Sequence, residues 1–254
     1  MIPKKIHYCW IGGNPLPESA KKCIQSWKKY CPDYEIIEWN ENNYDFTQNE
    51  YMKEALENKK WGFVPDYARL DIVYRHGGIY LDTDVEIVKS FDDLLLYNGF
   101  AGFESKEYVN LGQGFGAEPN NSVIKALLDS YQKLRFVDEN GKIDLTASPV
   151  LNTITLEQLG IIRNGSYQEV AGFSIFPTDY LCPKSLNDGI IRMTENTYSI
   201  HHFEASWFTE EQQIEKKKRW AEKQKKAKIK KIRAKLKKVV ITILGEDLYK
   251  KLRK

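Results

Sequence analysis

Apolar positions along this chain follow two periods. Residues 5–10 and 34–39 read as short strands, and between them Ala20, Cys23, Ile24, Trp27 and Tyr30 recur at helical spacing across residues 17–30. Strand, helix, strand is the α/β pattern and predicts a parallel pair joined by a right-handed crossover. Residues 47–59 predict a surface helix whose Glu and Lys side chains face solvent. Over residues 64–76, Tyr67, Leu70, Ile72, Val73 and Tyr74 return at roughly helical spacing, Pro65 suits a first turn, and Gly77-Gly78 is a strong stop. Ile79-Tyr80-Leu81 then reads as a strand. Later strands are expected at 100–104 and 109–117, and helices at 122–135 and 150–159. Short strands are expected at 161–163, 169–176, 180–182 and 197–203. The last long pattern, from Glu210 to about Leu244, is rich in helix formers, with Ile229, Ile232, Leu236, Val239, Val240 and Ile243 on one apolar stripe.

Charge divides the chain in the same place. Residues 214–254 carry 18 Lys+Arg against 4 Asp+Glu, or +14, while residues 1–213 carry 20 against 31, or −11, which together make the overall +3. An acidic body of residues 1–208 and a basic helical tail of residues 209–254 follow. A basic amphipathic helix suits an anionic membrane surface; nucleic acid is the competing partner, but no aromatic interleaving or known binding pattern supports it, and a solvated helix packed on the acidic body is the third reading. The four cysteines, Cys9, Cys23, Cys31 and Cys182, form no CxxC pair and no zinc spacing, so reduced, buried thiols in a cytosolic protein are expected. The N-terminus enters a strand without the apolar stretch of a signal peptide, and no apolar run reaches the roughly 18 residues of a membrane span.

The candidate chemistry centres on Asp82 and Asp84. In an extended chain they share a face, with Thr83 opposite. Two same-side carboxylates repel unless a cation lies between them, and a hard divalent ion that also holds phosphate oxygens answers this. Solvated turn acids are the alternative. Asp66 and Arg69, three apart on one helical face, offer either an ordinary surface pair or a bidentate fork and an acceptor for phosphate and sugar hydroxyls. Trp10 sits where the first strand ends, the usual ligand edge of such sheets, as either a core residue or a stacking surface. Gly112-x-Gly114-x-Gly116 is no phosphate loop, because no helix opens directly after it; small residues there suit a sugar approaching the backbone.

Asp66-x-x-Arg69 followed by Gly77-Gly78-Ile79-Tyr80-Leu81-Asp82-Thr83-Asp84 resembles the DXD-containing glycosyltransferases of the Och1-like and bacterial capsule type, and more distantly the catalytic domain of large clostridial glucosylating toxins. Ile2-Pro3-Lys4-Lys5-Ile6-His7-Tyr8-Cys9-Trp10-Ile11-Gly12-Gly13 is similar to the family's first strand, and His201-His202-Phe203-Glu204-Ala205-Ser206-Trp207 is a weaker echo of its C-terminal motif. The resemblance implies a GT-A-like α/β fold: a single Rossmann-type nucleotide-sugar domain with a mixed central sheet, extended by the basic helical tail. It implies that Trp10 stacks on a base, that Asp66, Arg69 and Tyr80 help hold the donor, and that Asp82 binds ribose and metal. Asp84 and His202 would complete the metal shell, His202 standing where the toxins use a carboxylate, and Trp207 would donate to the departing diphosphate. Imidazole favours Mn2+ over Mg2+. Asp82, Asp84 and Arg69 are then the catalytic set. The implied reaction moves a sugar, with UDP-sugar favoured as donor, to a glycan or lipid-linked oligosaccharide in capsule or other surface polysaccharide synthesis. It implies retention, and no enzymatic nucleophile stands out. The expected location is the cytoplasm, peripheral on the inner face of the cell membrane. A metal-dependent nucleotide-sugar hydrolase and a non-catalytic, membrane-tethered glycan-binding subunit are the alternatives.

Overall fold

A computed structural model of the protein describes residues 1–204 and 210–244. A central sheet runs β2-β1-β3-β7-β5-β9-β8, built from β1 (Lys5–Cys9), β2 (Glu35–Trp39), β3 (Gly78–Tyr80), β5 (Gly99–Phe103), β7 (Phe115–Ala117), β8 (Gln168–Val170) and β9 (Phe173–Phe176), with β6 (Val109–Asn110) added to β5. β4 (Val85–Ile87) and β10 (Ser199–His201) form a separate antiparallel pair. β1 is parallel to β2 and β3, as the strand, helix, strand pattern requires. β7 is antiparallel to both β3 and β5, and β9 is parallel to β5. The sheet is therefore mixed, and β1, β3 and β5 run the same way, so their carboxyl ends share one edge.

Side-chain alternation divides the core between the two faces of this sheet. Tyr80 joins the cluster that includes Tyr67, Leu70, Val73, Phe115, Leu127 and Tyr131, while its neighbours Ile79 and Leu81 join one with Ile6, Tyr8, Trp27, Val85 and Phe100. The first face is covered by α2 (Glu50–Glu57), α3 (Pro65–His76), α4 (Ser122–Tyr131) and α5 (Ser148–Gln158), the second by α1 (Glu18–Tyr30). Trp27 of α1 is fully buried and its indole donates to the Val85 carbonyl at 2.7 Å, fixing β4 under the helix. α3 is not amphipathic: every residue from Asp66 to Val73 is buried. Gly77 ends it with φ 61°, and a methyl there would lie 2.6 Å from Pro119.

Several expectations change. Residues 109–117 are not one strand. β6 pairs Asn110 with Gly102 and β7 pairs Gly116 with Phe100, so while the partner moves two residues this chain moves six. Four extra residues leave the ladder as a bulge around residues 111–114, where φ at Gly114 is 129°. Residues 169–176 form a hairpin through Ala171-Gly172, both with positive φ. Tyr180 lies in a short helix, α6 (Thr178–Leu181), and residues 161–163 are irregular.

The α2 charges are not all solvated either. Glu54 is 8 % exposed and accepts from the Phe136 and Val137 amides at 2.8 and 3.1 Å and from Arg135. Burial alone would raise its pKa, but these donors outweigh it and hold it below the usual value. Glu54→Ala leaves two backbone donors unpaired, and a loss of about 2 kcal/mol in unfolding free energy is expected from urea denaturation.

The chain divides into two compact units, Met1–Ser185 with Ile191–Trp207, and Leu186–Ile190 with Phe208–Lys254. In the second unit, α7 (Glu210–Leu244) is packed by the 186–190 loop: the Trp220 indole donates to the Leu186 carbonyl at 2.9 Å and Gln224 to that of Asp188 at 2.8 Å. Further along α7, Ile229, Ile232, Leu236 and Val239 are exposed. Among the described residues no helix is long and apolar enough to cross a membrane.

Candidate active site

The acids emerge where β3 ends at the common carboxyl edge. The Asp82 amide donates to the Gly112 carbonyl at 3.0 Å, and the Val85 amide donates back to the Asp82 carbonyl at 3.1 Å, closing a turn that leads into β4. The β4–β10 pairing sets His201 opposite Val85, next to Asp84. His201 Nε2 lies 3.3 Å from Asp84 Oδ1, and the Glu204 amide donates to Asp84 Oδ2 at 2.8 Å. Single ligand atoms of Asp82, Asp84 and His201 all lie within 4.8 Å of one another. Two carboxylates and an imidazole at that spacing are a donor set for a divalent transition ion such as Mn2+.

The two adjacent histidines part company here. His202 points the other way, with Nε2 2.9 Å from Glu86 Oε2, and it is His201 that completes the cluster. Adjacent strand residues face opposite sides, so moving the expected position by one residue exchanges the two imidazoles.

Arg69 and His201 offset part of the negative charge of Asp66, Asp82 and Asp84. Arg69 is 3 % exposed, donates from Nη2 to Asp66 Oδ1 at 2.7 Å, and holds Nη1 3.7 Å from Asp82 Oδ2. Its guanidinium lies 5.3 Å from the centre of the Tyr80 ring. Asp66 and Arg69 are thus a buried pair. Burial pushes the Asp66 carboxyl up to about 6 despite Arg69 and the Ser148 hydroxyl, and burial likewise raises Asp82 against the pull of Arg69. Burial would also raise Asp84, but His201 and the Glu204 amide bring it down to about 2. Burial opposes protonation of His201, yet Asp84 outweighs it and holds the imidazole well above its ordinary pKa. A cation taking His201 as ligand therefore displaces a proton.

The bulge after β6 serves this site. Glu104 accepts from Asn110 Nδ2 at 2.9 Å, Asn110 Oδ1 accepts from the Gly112 amide at 2.7 Å, and the Gly112 carbonyl holds the Asp82 amide. Gly112 is where Asp82 and Arg69 press on the backbone: a methyl there would overlap Asp82 Oδ2 and sit 2.7 Å from Arg69 Nη1.

A cleft of about 330 Å³ opens over these groups, lined by Trp10, Arg69, Tyr80, Asp82, Asp84 and His201 among others. Asp66 lies behind Arg69 and does not line it. Trp10 is half-buried, with its indole donating to the Asn14 carbonyl at 2.5 Å. Trp207 falls outside the described residues. Sequence reasoning missed His201, the Glu104–Asn110 support, Ser148 beside Asp66, and Trp61, which also lines the cleft.

Fold and site define a mixed α/β protein whose acidic, metal-competent cluster stands at the carboxyl edge of its sheet. Residues 17–101 match a family model described as "Glycosyltransferase sugar-binding region containing DXD motif", and that segment includes Asp66, Arg69, Asp82 and Asp84. A protein of Acanthamoeba polyphaga mimivirus described as an uncharacterized glycosyltransferase is 28% identical over 218 residues, 82% of this chain and 84% of its own length. The mannosyl phosphorylinositol ceramide synthase of Saccharomyces cerevisiae is 33% identical over 54% of this chain and 37% of its own length. This chain therefore spans most of the viral relative and little over a third of the yeast one. A solved structure described as "PaToxG Glycosyltransferase" superposes with a TM-score of 0.49 at 21% identity, covering 62% of this chain and 68% of that one.

Proposed function

We propose that the protein is a metal-dependent glycosyltransferase that moves a sugar from a nucleoside diphosphate donor, UDP-sugar favoured, to a glycan or lipid-linked oligosaccharide acceptor. The observation that carries this reading is the Asp82, Asp84 and His201 cluster beside the buried Arg69 in one cleft. The family match of the segment bearing both acids supports it. A lipid-borne acceptor accords with the ceramide-linked product named for the yeast relative.

Asp82, Asp84 and His201 would hold a divalent ion, Mn2+ rather than Mg2+ given the imidazole. When bound, that ion supplies Lewis-acid stabilisation to the leaving diphosphate. Asp84 is kept ionised for this task by His201 and the Glu204 amide. Arg69 lines the cleft with Nη1 beside Asp82 while Asp66 anchors its Nη2, so the guanidinium is oriented before the donor arrives. In the step itself the anomeric C–O bond breaks and the nucleoside diphosphate leaves with the electron pair. The acceptor hydroxyl oxygen bonds to the anomeric carbon and gives its proton to a departing phosphate oxygen. Attack on the face the diphosphate leaves gives retention without an enzymatic nucleophile. The test is a panel of UDP-, GDP- and TDP-sugars with Mn2+, scored for nucleoside diphosphate release with and without chelator. Metal-dependent release from one donor is expected; no release and no nucleotide affinity across the panel would end the reading.

The exposed Ile229, Ile232, Leu236 and Val239 of α7, set among lysines and arginines, fit attachment to an anionic membrane. At about 1 kcal/mol per basic residue near the surface, co-sedimentation with phosphatidylserine vesicles should be strong at low salt and fall as salt rises. Ile232→Asp with Leu236→Asp should lose it. Equal sedimentation with neutral vesicles would remove the electrostatic part of this assignment. We propose that such attachment would serve capsule or other surface polysaccharide synthesis on the inner membrane face.

A further inference from the structure

The cleft is lined by two kinds of group: Asp82, Asp84 and His201, which suit a cation and the oxygens it holds, and Trp10, Ile11, Pro15, Pro17 and Trp61, which offer apolar surface. A ligand that fits both is charged and oxygen-rich in one part and flat and weakly charged in another, which describes a nucleoside diphosphate. The two tryptophans are not equivalent. Trp10 has spent its indole N–H on the Asn14 carbonyl, so it offers a ligand only its ring. Trp61, in the turn before α3, is 37 % exposed. The backbone at Gly12 packs on its ring, where a methyl would sit 3.5–3.7 Å from three ring atoms, so one side of the ring is already covered. Among the described residues its Nε1–H has no acceptor. A tryptophan buried for packing alone covers its whole ring and pairs its N–H; this one keeps part of its ring exposed and lines the site.

We propose that Trp61 is a second contact for the base and ribose of the donor, its exposed ring surface packing on the nucleoside and its N–H donating to a base or ribose oxygen, while Trp10 supplies a ring surface alone. The proposal rests on the glycosyltransferase reading and deepens it. It is tested by calorimetric titration of UDP and of inorganic pyrophosphate, each with Mn2+, into the full-length wild type, Trp61→Ala and Trp61→Phe. Pyrophosphate carries the charged end of the ligand without the nucleoside. Trp61→Ala should weaken UDP about tenfold and leave pyrophosphate unchanged. Trp61→Phe, which keeps a ring but lacks the N–H, should fall between. Unchanged UDP affinity in Trp61→Ala overturns the proposal, and so does equal weakening of both ligands, which would make Trp61 a prop for the loop bearing Trp10. Wild type that binds pyrophosphate but not UDP overturns it and leaves the metal cluster standing. Wild type that binds neither removes the transferase reading as well.

Discussion

Asp84→Asn is expected to reduce metal-dependent release of nucleoside diphosphate by about a thousandfold or more while leaving the fold intact. The size follows from what the substitution removes. Loss of several kcal/mol of charge stabilisation at a leaving diphosphate corresponds to about tenfold per 1.36 kcal/mol. Asparagine keeps an oxygen for the Glu204 amide and nearly the same shape, so the turn from β3 to β4 need not move. What disappears is the anionic ligand and the partner that holds His201 protonated. Two results then separate a metal ligand from a structural acid. Wild type should release a proton on binding Mn2+, because His201 must give up its proton to coordinate; calorimetry in buffers of different ionisation enthalpy measures this. In Asp84→Asn that release should shrink at neutral pH, because the histidine is no longer held above its ordinary pKa, and Mn2+ affinity should collapse. Full activity in a folded Asp84→Asn protein would exclude the assignment.

The stability of the metal-free pair has a defined pH window. His201 is raised above its unfolded value, so its contribution is present at low pH and is lost as pH climbs through the raised pKa. Asp84 is lowered to about 2, so its contribution is present above its ordinary value near 3.8 and is lost as pH falls toward 2. The pair stabilises the fold most between these limits.

How far the site was legible in the sequence depended on whether its geometry is local. The β1-α1-β2 unit and the α3-to-β3 passage were readable because each has a clear period and a glycine stop, and Asp82 and Asp84 come with that passage. What was not readable depends on partners distant in sequence. Glu54 looked like a solvated helix charge because its acceptor role is defined by amides more than 80 positions away. The stretch from Val109 to Ala117 reads as continuous strand, since nothing in its composition announces that the register with β5 jumps by four residues. That jump is what brings Gly112 against Asp82. His201 and His202 were indistinguishable by type, and only the pairing of β10 with β4 decides which one meets Asp84. Trp61 carried no motif at all; its place on the cleft comes from the turn before α3 and from Gly12, which belongs to a different loop.

The second large effect should come from Arg69. This guanidinium is buried between Asp66 and Asp82, and its removal leaves Asp66 without the charge that offsets its desolvation. Breaking a buried pair from one side costs about 3–5 kcal/mol, so Arg69→Ala should lower the urea midpoint sharply at pH 8. The deficit should also depend on pH in a particular direction. With Arg69 present, burial already lifts the Asp66 carboxyl to about 6 from an ordinary value near 3.8, so its ionisation works against folding as pH rises through that interval. Without Arg69 the carboxyl is lifted further and the interval extends upward. The stability of Arg69→Ala should therefore recover relative to wild type as pH is lowered toward 5, where Asp66 is neutral in the folded protein. Arg69→Ala with Asp66→Asn, which removes the stranded charge, should be more stable at pH 8 than Arg69→Ala alone, a coupling that a double-mutant cycle reads directly. Additive losses with no pH dependence would instead mean that Arg69 acts through its packing on Tyr80. In either case Arg69→Ala should lose donor affinity. Recovery of stability in the double variant without recovery of affinity would then assign Asp66 to holding the arginine and Arg69 itself to holding the diphosphate.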